Sequence, residues 1–159
     1  MSPMSRVNLS TLQRVLIDGS LASVLSGVVL AWRGRRETGH AMAPLNAPSH
    51  WVWGREALHR NRTSLRYTAL GSAIHHASSL MWAGFYRLLQ ARRRQPTPAS
   101  AVLDAAVITA AAALVDLRLV PQRFTPGFER RLSTPALVSV YLSFGVGLVL
   151  GGLMAQRRR

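Results

Sequence analysis

Residues 134–155 read TPALVSVYLSFGVGLVLGGLMA. The stretch carries no charged side chain, and as a helix rising 1.5 Å per residue it is long enough to cross a hydrocarbon core of ~30 Å. Thr134 is placed to cap such a helix and Pro135 suits its first turn. A run of this kind reads as a membrane span, and the rest of the chain can be read against it.

The chain has 159 residues, 48% of them hydrophobic, yet its formal net charge is +14. All 20 basic residues are arginine. They cluster between apolar runs, as in Arg33, Arg35 and Arg36, in Arg92, Arg93 and Arg94, and in Arg130 and Arg131. That is the layout of arginines stopped at membrane edges. A soluble nucleic-acid binder would carry them along an amphipathic face, so nucleic acid is not an expected partner. The lipid bilayer is. With no cysteine, disulfides, thiolate metal sites and a cysteine nucleophile are excluded.

Three further runs suit spans: residues 12–32, 66–89 and 99–120, with the charge-free run taken as 135–155. Ser10 and Gln13 match a capping box ahead of the first. The first run carries Asp18 and the third carries Asp104 and Asp116. The second is interrupted by His75 and His76, and by Arg87 near its end. Trp32, Tyr67, Trp82, Phe85 and Tyr86 mark run ends, where aromatic rings favour the headgroup level. The first run is read as an uncleaved helix, because arginines follow it where a cleavage site needs small residues. The expected fold is therefore all-α, a single membrane domain with a four-helix bundle. Arginine counts on the two sides nearly balance, so dual insertion competes with an arrangement that leaves both termini in the cytoplasm.

Helices in lipid associate through small residues. Gly19, Ser23 and Gly27 lie four apart on the first run, and Gly147 and Gly151 form a GxxxG on the fourth. These faces serve packing within one bundle or a homo-oligomer.

Ionisable groups inside a span face the bundle interior and find partners. The candidate polar site comprises His75, His76, Asp18, Asp116 and Asp104. Depth arithmetic at helical rise sets the histidines ~14 Å in from the side of the first loop, Asp116 ~6 Å, Asp18 ~21 Å and Asp104 ~24 Å. Contacts of the histidines with Asp116 or Asp18 are within reach. Adjacent rings on a helix point about 100° apart, so His75 and His76 do not suit one metal ion. Neither a metal nor another cofactor is expected. The competing accounts are neutral rings bonded across helices and a proton relay with a carboxylate.

The loop over residues 33–65 is long for a simple connection. Asn46 can cap a short interfacial helix over 47–60, in which His50 and Trp51 face the membrane or the bundle. Glu56 and His59 are half of a di-iron spacing whose other half is missing. In the third loop Arg118, Arg123 and Glu129, interleaved with Pro and Phe, could hold anionic lipid headgroups.

The segments APLNAPSHWVWG, HHASSLMW and VDLRLVPQRFTPGFERRLS together resemble a family of small multi-pass proteins of bacterial inner membranes. The resemblance spans roughly Asp18 to Gly152. It implies that location and transfers no catalytic role. The leading functional expectation is a non-enzymatic structural, accessory or partner-binding membrane protein. The alternative is a small oligomeric transporter or channel with a proton-linked His/Asp site.

Overall fold

The computed structural model describes the backbone of residues 9–156 and the side chains of residues 11–154. Among them every regular element is helical. In chain order these are α1 (Leu9–Thr38), α2 (Ala43–Asn46), α3 (His50–Trp53), α4 (Leu70–Ala91), α5 (Pro98–Leu114) and α6 (Thr134–Gln156). A π turn over Leu65–Ala69 leads into α4, and another over Val115–Leu119 prolongs α5.

The four long helices pack in a ring. α1 lies against α4 and α6, and α5 closes the ring against the same two. Small residues explain the closest seam. A Cβ on Gly147 would collide with the Ala22 backbone, and one on Gly151 with Asp18. Gly19 meets the Leu80 backbone of α4 in the same way. The glycines of α1 and α6 are thus largely used within the chain. Gly27 is the exception, with nothing near its missing side chain.

The outer surface is apolar. Val24 and Val28 on α1, Val102 and Val107 on α5, and Leu142 and Val146 on α6 are all exposed. α1, α5 and α6 are long and apolar enough to cross a membrane. α4 is long enough but is not among them. Of the four expected spans, the second is therefore the one that composition does not support. Two histidines, paired serines, Arg87 and Gln90 dilute its apolar residues.

Several boundaries move. α1 runs beyond Trp32 through the arginine block, because nothing in RGRRE stops a helix. It ends before Gly39, whose φ of +75° suits glycine alone. Ser133, not Thr134, caps α6, accepting from the Ala136 N–H at 3.4 Å. Glu37 fixes that cap by accepting from the Ser133 backbone N–H at 2.7 Å and its hydroxyl at 2.8 Å. α5 has a reciprocal capping box between Thr97 and Ser100, and the Thr-Pro pair that opens it repeats the one at 134–135. The proposed box at Ser10 lies outside the described side chains.

The first loop is not one interfacial helix over 47–60. It is a chain of short turns, α2, a 3-10 turn at Ala47–Ser49, α3 and a 3-10 turn at Gly54–His59. Ala43, Pro44 and Asn46 through His50 are buried. The loop enters because three glycines admit it. Gly34 faces Pro44, Gly71 faces the Leu45 carbonyl, and Gly127 faces Ala47 and His50. It therefore forms a plug over one end of the helix ring.

Candidate functional site: an apolar cavity beneath the loop plug

α4 and α5 are held together near their connecting turn. Tyr86 donates to the Ala101 carbonyl at 3.4 Å, and Gln90 bonds Asp104. Toward their other ends both helices line a cavity of about 430 Å³. α6 supplies another wall, and the plug supplies Pro48 and Trp51. Trp51 meets Phe124 edge-on, with centroids 5.9 Å apart, and its indole donates to the Thr125 carbonyl at 2.8 Å. The third loop is thereby fastened to the plug.

The lining is mostly apolar and aromatic, and contains Trp82, Phe128 and Phe144. Among its polar members two bear on chemistry, a histidine and a carboxylate. On the α4 side is His75. Its Nε2 lies 3.0 Å from Ser26 Oγ and 3.3 Å from the Ser23 carbonyl. A Ser–His contact can activate a nucleophile, so its direction matters. Ser26 already donates its hydrogen to the Ala22 carbonyl at 2.7 Å. Both partners of Nε2 are then acceptors, and Nε2 carries the hydrogen. His75 donates to Ser26 and cannot take its proton through that contact. The pair is a cross-helix tie between α1 and α4, as neutral bonding across helices requires.

On the α5 side is Asp116, in the π turn. Tyr141 of α6 donates to its Oδ2 at 3.1 Å. No arginine lines the cavity, and among the described residues no cation pairs with Asp116. His75 and Asp116 share the cavity but do not bond each other. His76 is half-buried, lies off the cavity and makes no hydrogen bond among the described residues.

The other two acids are not brought to this site. Asp18 is fully buried and held by Arg87, whose Nη2 donates to Oδ1 at 2.6 Å while Nε faces Oδ2. Arg87 also reaches the Gly151 carbonyl at 3.4 Å. The expected reach of a histidine to Asp18 is therefore not realised. Asp104 is bound by Arg93 through both oxygens and by Gln90. Arg87, Gln90 and Arg93 were not picked out as partners from the sequence. The available signal was Arg87 itself, a cation inside the second run whose long side chain can reach along the bundle to an acid on a neighbouring helix.

Asn46 does not act as a cap; it is the hub of the plug. It is fully buried, donates to the Arg60 and Arg62 carbonyls at 2.9 and 3.1 Å, and accepts from Thr68 at 2.6 Å. His50 is buried, with Nδ1 2.8 Å from the Ala47 carbonyl. Glu56 pairs with Arg60 on the surface. Arg118 and Arg123 are exposed, and Glu129 lies 3.9 Å from Arg130.

Comparison with protein-family models, curated proteins and solved structures gives no match. The functional argument therefore rests on this geometry.

Proposed function

We propose that the chain is a four-span protein of a bacterial inner membrane, with α4 as its polar fourth span and both termini cytoplasmic. On this reading it works by binding and not by catalysis. Its ligand is a lipid-soluble molecule with an apolar body and a positive or hydrogen-donating group. One observation carries the proposal: the cavity joins apolar, aromatic walls to a single carboxylate that pairs with no cation among the described residues. In a chain with 20 arginines and 6 acids, an acid left without a guanidinium favours a cation from elsewhere. Aromatic faces add attraction for such a cation. Concave, mostly apolar pockets with few polar groups are the usual form of small-molecule sites.

The test uses three probes of similar shape on the detergent-purified full chain: tetraphenylphosphonium, tetraphenylborate and neutral triphenylphosphine oxide. Quenching of tryptophan fluorescence reports occupancy, since Trp51 and Trp82 line the cavity. The expected result is saturable binding of the cation over the anion, weakened about tenfold or more by Asp116→Asn. Ile74→Trp, which fills the cavity, should abolish it. Binding of the neutral probe alone would retain an apolar pocket and remove the cation preference. No saturable binding of any probe would overturn the proposal.

A second reading, proton-linked transport by an oligomer, is favoured by one observation: His75 and Asp116 lie on the walls of one cavity. It predicts that His75→Ala combined with His76→Ala stops proton or solute flux in vesicles. Unchanged flux would dismiss it.

A further inference from the structure

A second, smaller pocket of about 310 Å³ lies on the outer side of the plug. Residues 50–58 of the first loop form one wall and residues 122–130 of the third form the other. Its chemistry is the reverse of the cavity's. Arg55, Arg123 and Arg130 converge on it together with His50 and Gln122, and no acid lines it. Arg130 has Glu129 at 3.9 Å, outside hydrogen-bond reach, and Arg55 and Arg123 make no ion pair among the described residues. His50 is only 8% exposed and its Nε2 is buried without a partner. The Ala47 carbonyl can only accept, so Nδ1 holds the hydrogen of the neutral ring. Nε2 is then the position without a partner.

The pocket is held in shape by bonds between its two walls. Besides the Trp51–Thr125 bond, Arg131 donates to the Leu58 carbonyl at 2.8 Å. A preformed cluster of guanidinium groups matches an oxyanion. The surroundings say where the anion comes from. Val52, Trp53 and Phe124 beside the pocket are exposed apolar side chains, as expected at a headgroup boundary. Trp51 belongs to the walls of both the pocket and the apolar cavity.

We propose that Arg55, Arg123 and Arg130, with His50 in the wall behind them, form a binding site for a phosphate-type oxyanion, supplied as the headgroup of an anionic phospholipid. The site takes Arg123 from the third-loop arginines singled out in the sequence, and leaves out Arg118 and Glu129. It does not depend on what the cavity binds.

The test compares two variants that each remove two exposed arginines. Arg55→Gln/Arg123→Gln alters the pocket; Arg92→Gln/Arg94→Gln alters the remote α4–α5 turn. The full chain is extracted from mixed phosphatidylglycerol and phosphatidylcholine vesicles, and bound lipid is counted by native mass spectrometry. Inorganic phosphate is titrated separately by calorimetry. The expected result is selective retention of phosphatidylglycerol by the wild type, reduced about tenfold or more in the pocket variant. The remote variant should change retention less than about twofold, since surface arginines elsewhere contribute only diffuse attraction. Saturable phosphate binding lost only in the pocket variant, without lipid selectivity, would keep the oxyanion site and overturn its lipid source. Equal losses in both variants would reduce the effect to net charge and overturn the site, as would no loss in either.

Discussion

The two ends of the helix ring handle buried polarity in opposite ways. At the end of the α4–α5 turn, every buried charge has a fixed partner: Asp18 has Arg87, and Asp104 has Arg93 and Gln90. Tyr86 is fully buried among them, against Gly152. At the plug end, Asp116 has one tyrosine hydroxyl, and His75 has the Ser26 hydroxyl and the Ser23 carbonyl, around a cavity. The first end spends its polar groups on joining helices. The second leaves an acid available. A carboxylate in a low-dielectric setting is stable only with compensation, so the sparse partners of Asp116 mark the end at which a ligand would act.

The comparison breaks first at Arg87. Arg87→Leu leaves Asp18 buried and unpaired, and should cost ~3–5 kcal/mol, read as a large fall in the unfolding midpoint in detergent. Asp116→Asn should shift stability by less than about 1 kcal/mol. Equal losses would erase the distinction between the ends. Next, Gly147→Ala should cost ~1–3 kcal/mol by pushing α6 from the Ala22 backbone. Gly27→Ala, which meets nothing, should be neutral or stabilise by up to ~1 kcal/mol. Asn46→Ala should cost ~1–3 kcal/mol by orphaning buried groups. Hydrogen exchange should then rise across residues 39–64 and not at the α4–α5 turn; uniform rise would show that the plug is not a separate unit. Smallest is Ser133→Ala, about 1 kcal/mol, seen as faster exchange in the first turn of α6.

The helices were legible because long apolar runs and small-residue spacings are written locally. Pro135, the GxxxG of 147–151 and the arginine blocks each mark a feature of the structure. The second run was legible as a helix, but its histidines, serines and Arg87 leave its composition short of a span. The partners of the acids were not legible. Asp18 and Arg87 lie far apart in sequence, and no local rule pairs them. Only the presence of a cation in one run and an acid in another hinted at contact. The plug was misread as an interfacial helix because Asn46, Pro48 and Trp51 carry ordinary helix and interface signals. Its burial depends on Gly34, Gly71 and Gly127, each unremarkable until Leu45, Pro44 or His50 is set against it. The cavity arises from the packing of three helices and two loops, which no single segment encodes.

The central claim is that α4 crosses the membrane although, of the four long helices, it alone lacks a stretch apolar enough to do so by composition. The chain has no cysteine, so single cysteines can be placed without removing any. His40→Cys and Gln95→Cys flank α4 on exposed positions. They are labelled with a membrane-impermeant maleimide in right-side-out and inside-out vesicles. The account predicts opposite accessibility, with residue 40 labelled from the outer face and residue 95 from the cytoplasmic face. Labelling of both residues from the same face would show that α4 does not span, and would contradict it.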